Sequence, residues 1–180
     1  MAALKELYTL KHVSRWNGVD TIGTDTTAQH SYFVACISGL LVDLYNEMSE
    51  MPLDKGQVLI QALYHDVAEI HLAHITYGAK QQSDVLRAEV SVLKKKLFSE
   101  WCKEINCGDL TDDWKNSKII DEIIDFADIV DAWMYCKEEV DKGNISMQEI
   151  YKRQRKALIE SIKKYEWAQR FYSIYLLDML

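Results

Sequence analysis

A histidine and an aspartate stand side by side in an otherwise apolar stretch, at His65 and Asp66 in the sequence ALYHDVAE. Two adjacent ionisable side chains are costly to bury unless they pair with other groups or bind a metal ion. Adjacent helical residues diverge by about 100° around the axis, so one ion can contact both only from beside the helix. We therefore expect neighbouring helices to supply the remaining ligands of such a site.

Two further residues have the character of those ligands. His30 lies near the start of a predicted helix, and Asp128 interrupts the apolar run IIDFADIVDAW. With the pair they give two imidazoles and two carboxylates, which suit a divalent ion that keeps positions open for water and substrate. The alternative is a chance dipeptide, with His65 hydrogen-bonded in the core and Asp128 solvated. The order of all four residues, on three predicted helices, favours the metal site.

The order H…HD…D and its surroundings resemble the HD-domain phosphohydrolase superfamily. Within it, the chain is similar to the compact bacterial 5′-deoxynucleotidases and the related phage dNTP (dATP) triphosphohydrolases. The matching segments are RW at 15–16, TDTTAQHS at 24–31, ALYHDVAE at 62–69 and ADIVDA at 127–132. They follow the family's order over about residues 5 to 145, so the resemblance is specific and covers most of the chain.

The resemblance implies a role for each matching residue. The ligands of one or more divalent ions (Co, Mn, Zn or Mg) would be His30, His65, Asp66 and Asp128. Glu69 would assist catalysis by transferring a proton or orienting water. Arg15 would contact the phosphate during binding and catalysis, because its planar guanidinium suits phosphate oxygens. Trp16 would form part of the base or sugar pocket, whereas without the resemblance this residue is more typical of a core.

One segment departs from the family pattern. Where the family commonly has Gly-Asp followed by Leu-Pro-Thr, this chain reads IHLAHITYGAK, with His74 at the aspartate's position. His71 and His74 are candidates for extra metal ligands, phosphate contacts or surface residues. We expect His74 and Lys80 to contact the substrate, and His71 to be a surface residue. Replacing an acid by a histidine makes the site less negative, which favours a triphosphate over a monophosphate.

The predicted reaction is therefore metal-dependent hydrolysis of the 5′ O–P ester of a deoxynucleotide, with a deoxynucleoside as product. The favoured substrate is a dNTP, possibly dATP, cleaved to deoxynucleoside and triphosphate. The first alternative is a 5′-deoxymononucleotidase that cleaves dNMP. The second is a non-catalytic HD module that binds a nucleotide.

The elements that position these residues are predicted to be helices. The apolar residues recur at helical spacing, and neither a period-2 strand pattern nor an internal repeat is present. With 180 residues, the chain suffices for one core, so we expect one all-α, HD-type helical bundle over residues 1–180. The predicted helices span about 4–13, 28–48, 55–72, 83–101, 118–142 and 146–180.

The composition limits the binding partners and the cellular location that we expect. The net charge of −7 opposes binding along nucleic acid phosphates. No apolar run reaches the roughly 18 residues of a membrane helix, and the first residues lack the apolar core of a signal peptide, so we expect no membrane partner and a cytoplasmic location. The four scattered cysteines are expected to be reduced thiols.

Two other features are interpreted as structural. The run Lys94-Lys95-Lys96 is expected to be the solvated face of a helix. The aromatic C-terminal segment, with Trp167, Phe171 and three tyrosines, is expected to form core or subunit interface. Because family members are commonly oligomers, the resemblance implies a homo-oligomer.

Overall fold

The computed structural model describes residues 2–75, 83–105 and 118–180, with side chains from Leu4 onward. Its α-helices are α1 (Ala2–Thr9), α2 (Thr27–Met48), α3 (Lys55–Tyr64), α4 (Glu69–Leu72), α5 (Asp84–Glu104), α6 (Lys118–Asp141), α7 (Gln148–Ile162) and α8 (Glu166–Phe171). Short 3-10 helices occupy Leu10–His12 and Ile145–Met147, and a π-helical segment spans Tyr172–Leu176. Within these ranges no strand forms, and the all-α prediction is confirmed.

The main core lies around α2 and α6. Helix α2 packs against α3, α6 and α8, and α6 also packs against α7. Fully buried side chains from these helices fill the space between them: Val34, Leu41, Ile123, Phe126, Trp133 and Leu158. Since α2, the end of α3 and α6 each carry predicted site residues, this packing sets the distances within the site.

A second apolar cluster joins α5 to the segment that follows α3. Its buried members are Leu10, Val67, Phe98, Trp101 and Cys102. Val67 comes directly after the His65-Asp66 pair, and Phe98 and Trp101 lie on α5. The cluster therefore holds one face of α5 against the site.

The starts of α2 and α3 follow local rules of helix capping. The Thr26 hydroxyl accepts the N–H of Gln29 while the Gln29 side chain accepts the N–H of Thr26, a capping box that places His30 in the first turn of α2. Asp54 caps α3 by accepting the N–H of Gln57 at 2.7 Å.

The predicted continuous helix over 55–72 is wrong in its middle. Helix α3 ends at Tyr64, and residues 65–68 form a turn before α4 begins at Glu69. Here the N–H of Val67 donates to the carbonyl of Tyr64 at 3.0 Å, and the N–H of Glu69 to that of Asp66 at 2.9 Å. This tighter three-residue spacing replaces the α-helical one and changes the directions of the side chains at 65 and 66.

The remaining boundaries differ less. The helix predicted from 146 to the end is divided among α7, α8 and the π-helical segment. Trp167 and Phe171 are buried in the main core, as expected, whereas Tyr175 is 43% exposed. Cys102 and Cys136 are buried and Cys36 is exposed, while Cys107 lies outside the described residues. None of the described helices is long and apolar enough to cross a membrane.

Candidate metal centre and active site

Three predicted ligands from different helices converge at one point. The ligand atoms of His30, His65 and Asp128 all lie within 4.8 Å of one another. His30 Nε2 is 3.1 Å from Asp128 Oδ1. The Nε2 atoms of both imidazoles are buried and make no hydrogen bond within the described structure. Buried polar atoms normally have partners, so two unpaired imidazole nitrogens beside a carboxylate fit a divalent cation.

Each imidazole is oriented by its other nitrogen. His65 Nδ1 lies 2.7 Å from the carbonyl oxygen of Ala62, and His30 Nδ1 lies 2.6 Å from Asp131 Oδ2. Since both partners are acceptors, Nδ1 carries a proton in each ring, and Nε2 is the nitrogen that can offer a lone pair to an ion at the centre. Asp131 lies three residues after Asp128 on α6, at a spacing that predicts a shared face, but no role was predicted for it.

Asp66, the fourth predicted ligand, lies at the edge of this group. Its Oδ2 is 3.4 Å from His65 Nε2 and 3.8 Å from His30 Nε2. Its other oxygen, Oδ1, is 2.7 Å from Lys94 Nζ. The two oxygens therefore face different partners, and Oδ2 is the one directed toward the imidazoles.

Arg15 lies over the carboxylates, with only 5% of its side chain exposed. Its Nη2 is 3.6 Å from Asp128 Oδ1, its Nη1 4.0 Å from Asp66 Oδ2 and its Nε 3.4 Å from Asp25 Oδ2. Neither Nε nor Nη1 makes a hydrogen bond in the described structure. A buried guanidinium with unused donors beside the centre is suited to an anion such as phosphate.

Trp16 forms a flat wall beside Arg15. Its indole stacks on Tyr135 of α6, with ring centroids 5.1 Å apart and planes 9° from parallel. Its Nε1 donates to Asp25 Oδ2 at 2.9 Å. Asp25 thus contacts both Arg15 and Trp16, and neither it nor Tyr135 was singled out from the sequence.

Glu69 is fully buried and accepts three donors. The Thr27 hydroxyl donates to Oε2 at 2.9 Å, Lys94 Nζ to Oε1 at 3.0 Å, and His74 Nδ1 lies 3.3 Å from Oε1. Burial and the nearby Asp66 would raise the pKa of Glu69, but the donors His74 and Lys94 outweigh them and lower it. The carboxylate is accordingly ionised in the metal-free protein.

The predicted substrate contacts after Glu69 are placed only in part. His74 is mostly buried against Glu69. It follows Ala73, whose φ of 55° turns the chain sharply after α4. Lys80 lies outside the described residues.

The prediction that Lys94 lies on the solvated face of its helix is wrong. Lys95 and Lys96 are exposed as expected, but the Lys94 side chain is only 19% exposed and bridges Asp66 and Glu69. Burial would lower its pKa, yet the two carboxylates raise it. The physical reason is the second apolar cluster, which turns this face of α5 inward; residues 90, 94, 98 and 101 recur at helical spacing, a signal present in the sequence.

Acidic groups outnumber basic ones around this centre. The carboxylates are those of Asp25, Asp66, Glu69, Asp128 and Asp131, and the cations are Arg15 and Lys94. A divalent cation would offset this excess, which agrees with the unpaired imidazole nitrogens. Metal identity does not follow from these ligands, because imidazole and carboxylate suit several divalent ions.

Comparison with known proteins identifies the family. Residues 3–179 match the family described as 5'-deoxynucleotidase YfbR-like. The chain belongs to the YfbR-like HD phosphohydrolases. A 4'-phosphooxetanocin A phosphatase of Priestia megaterium is 32% identical over 96% of this chain and 90% of its own. A 5'-deoxynucleotidase of Pectobacterium atrosepticum is 27% identical over 75% of this chain and 71% of its own.

Solved structures agree on the YfbR-like fold. An HD-domain phosphohydrolase from Listeria innocua superposes with a TM-score of 0.80 at 21% identity, covering 99% of this chain and 88% of its own. The cyanophage S-2L HD phosphohydrolase, solved with dA and one catalytic Zn²⁺, gives a TM-score of 0.59 at 18% identity, covering 89% and 96%. The predicted family and enzyme class, a phosphoester hydrolase of deoxynucleotides, are confirmed, and the non-catalytic alternative is set aside.

Proposed function

We propose that this enzyme is a metal-dependent 5′-deoxynucleotidase that hydrolyses a deoxynucleoside monophosphate to deoxynucleoside and phosphate. The observation that carries the proposal is the convergence of His30, His65 and Asp128 at one point. Asp66 lies at the edge of this group, and the unused donors of Arg15 lie beside it. The names of the relatives support the monophosphate, since they describe a 5'-deoxynucleotidase and a phosphatase of a phosphorylated nucleoside analogue.

These residues divide the work of hydrolysis. The four ligands would hold a divalent ion, whose Lewis acidity activates water and polarises the phosphoryl group. Arg15 Nη1 and Nε donate to phosphoryl oxygens and stabilise the charge that develops on them. The Trp16 ring, fixed by Tyr135 and Asp25, orients the base or sugar.

Glu69 acts on protons at the same centre. Because three donors keep it ionised, it is suited to accept a hydrogen bond or a proton from water, and it donates none in this state. Of the two roles inferred from the resemblance, orienting water therefore fits better than delivering a proton to the leaving 5′ oxygen.

The triphosphate alternative depends on His74. A histidine in place of an acid makes the site less negative, which was the reason for favouring dNTP. However, His74 Nδ1 lies 3.3 Å from Glu69 Oε1, so one of its two ring nitrogens is engaged by Glu69 and is not available to an outer phosphate. This contact reduces the support for dNTP and makes the monophosphate the better-supported substrate.

The test is hydrolysis of all four dNMPs and all four dNTPs with Mn²⁺, Co²⁺, Zn²⁺ or Mg²⁺, with phosphate and triphosphate separated by ion chromatography. We expect phosphate release from dNMP. Triphosphate release from dNTP, with every dNMP inert, would make the enzyme a triphosphohydrolase.

The control for this assay is Asp66→Ala, which removes one of the four proposed ligands. We expect it to lose bound metal and activity together. Full metal content in Asp66→Ala, measured by elemental analysis, would contradict the assignment of the ligands.

A further inference from the structure

Lys94 reaches the centre from α5, a helix that carries none of the predicted site residues. Its ammonium has three donors, and two of them are directed at carboxylates: Asp66 Oδ1 at 2.7 Å and Glu69 Oε1 at 3.0 Å. The bridge therefore joins a proposed ligand to the residue proposed to act on water, and it comes from outside the segments that carry the family motifs.

The bridge separates the two oxygens of Asp66. Oδ1 is held by Lys94, while Oδ2 faces the imidazole nitrogens of His30 and His65. A carboxylate with both oxygens free can bind an ion through either or both of them. With Oδ1 held by an ammonium, Oδ2 is the oxygen that faces an ion at the centre.

The bridge also brings two acidic groups together. Asp66 and Glu69 are both buried and repel each other when both are ionised. A single cation between them lowers that repulsion and fixes the direction of each carboxylate. A neutral donor would satisfy the hydrogen bonds without offsetting the charge.

We propose that Lys94 is a positioning residue of the metal centre: it reserves Asp66 Oδ1, leaving Oδ2 for the ion, and it holds Glu69 toward the same point. The proposal rests on the proposed function only in assigning a metal to these ligands. By leaving Asp66 bound through one oxygen, Lys94 keeps a further position on the ion open for water or phosphate.

The test compares Lys94→Met with Lys95→Met, an exposed neighbour on the same helix that undergoes the same change of charge. Each protein is loaded with Co²⁺, and its visible absorption, its Co²⁺ affinity by calorimetry and its kcat and KM for dAMP are measured. For Lys94→Met we expect weaker visible absorption, because Asp66 can then bind through both oxygens and Co²⁺ of higher coordination number absorbs less.

The same variant should keep its Co²⁺ affinity and KM within about threefold while kcat falls about 10–100-fold, the usual effect of losing a partner of a metal ligand. Lys94→Arg, which keeps the charge and two donors, should restore part of the absorption and of kcat. Lys95→Met should match the wild type throughout.

A wild-type spectrum and kcat in Lys94→Met would overturn the proposal. So would a raised KM with unchanged kcat and spectrum, because that pattern describes a residue that contacts substrate. If Lys94→Met does not fold, Lys94→Ala, which also removes every side-chain donor, is measured in its place, with the same outcomes for and against. The spectrum does not depend on which nucleotide is cleaved. Failure of the monophosphate assignment is therefore distinguishable from failure of the role proposed for Lys94.

Discussion

His30 is the most strongly constrained residue of the centre. Its side chain is fully buried, with Nδ1 2.6 Å from Asp131 and Nε2 3.1 Å from Asp128. Burial alone would lower the pKa of this imidazole, but the two carboxylates outweigh it and raise the pKa to about 9. In the metal-free protein His30 is therefore protonated at neutral pH, and Nε2 must lose its proton before an ion can bind there.

This competition predicts how metal affinity depends on pH. Below the raised pKa of about 9, each metal ion displaces about one proton, so the affinity should rise about tenfold per pH unit and level off above that value. Calorimetry of Mn²⁺ binding in buffers of different ionisation enthalpy, between pH 7 and 9.5, measures the protons released. An affinity that is independent of pH over this range would show that His30 is not a ligand.

The same shift affects the stability of the metal-free protein. Because the folded pKa of His30 lies above its unfolded value of 6.5, protonation stabilises the fold fully below about pH 6.5. That contribution is lost as the pH rises through about 9, which is the range in which metal binding becomes strongest.

The types and order of the residues predicted the candidate metal ligands, but they did not predict which other side chains contact them. His30, His65, Asp66 and Asp128 stood out because ionisable groups in apolar segments need partners. Lys94 was missed because it belongs to a run of three lysines, and only the packing of α5 separates it from the other two.

The segment between the first 3-10 helix and α2 has almost no regular structure, yet contacts hold it in place. Near its start, Ser14 forms a single antiparallel bridge with Thr26. In its middle, the N–H groups of Ile22 and Gly23 each donate to Glu139 at 2.7 Å. Burial would raise the pKa of Glu139, but these donors and Asn144 outweigh it and lower the pKa.

Glu139 thereby fixes a loop that carries functional contacts. The same loop includes Asp25, which contacts both Arg15 and Trp16. The anchor comes from the end of α6, more than one hundred residues later in the chain. Its effect on the site is indirect and passes through Asp25.

We predict that Glu139→Gln weakens this anchor, because an amide has one acceptor oxygen and its NH₂ group would face a backbone donor. Leaving one buried donor unpaired costs about 1–3 kcal/mol of unfolding free energy. KM should rise more than kcat falls, since the loop orients Arg15 and Trp16. Urea unfolding and steady-state kinetics measure both effects.

The matched control is Glu138→Gln, which changes an exposed neighbour whose ion pair in the described structure is with Lys142, just after the end of α6. It should behave as the wild type. Unchanged KM and unfolding free energy in Glu139→Gln would mean that the loop is held by other contacts.

The sequence predicted most helices to within a few residues, because capping residues and apolar spacing act locally. It did not predict the break after Tyr64, since LIQALYHDVAEI has no proline or glycine to mark it. The turn there depends on tertiary contacts, among them the burial of Val67 against α5. Anchors between distant elements, such as Glu139, leave no local pattern in the sequence either.

At the scale of the whole molecule, the centre joins helices that are distant in the chain. His30 belongs to α2, His65 follows α3 and Asp128 lies on α6. An unfolded chain does not hold these ligand atoms together, so a metal ion binds the folded state in preference.

We therefore predict that metal raises the thermal midpoint of the chelator-treated protein. At a free metal concentration of 100 times Kd, the stabilisation is about 2.7 kcal/mol. Calorimetric scans with and without Mn²⁺ measure the shift, and His65→Ala should show little of it. An equal shift in His65→Ala would place the binding of the ion elsewhere.

The hydrogen bond between His30 and Asp131 joins residues 101 positions apart. Because a contact of this separation closes a long loop at a cost in chain entropy, we expect it to be complete only once α2 and α6 have packed. A metal ion that needs this geometry binds the folding transition state weakly. It therefore slows unfolding more than it accelerates folding. The lifetime of the folded enzyme therefore depends on the concentration of free metal ion. Its resistance to proteolysis that proceeds through unfolding depends on the same concentration.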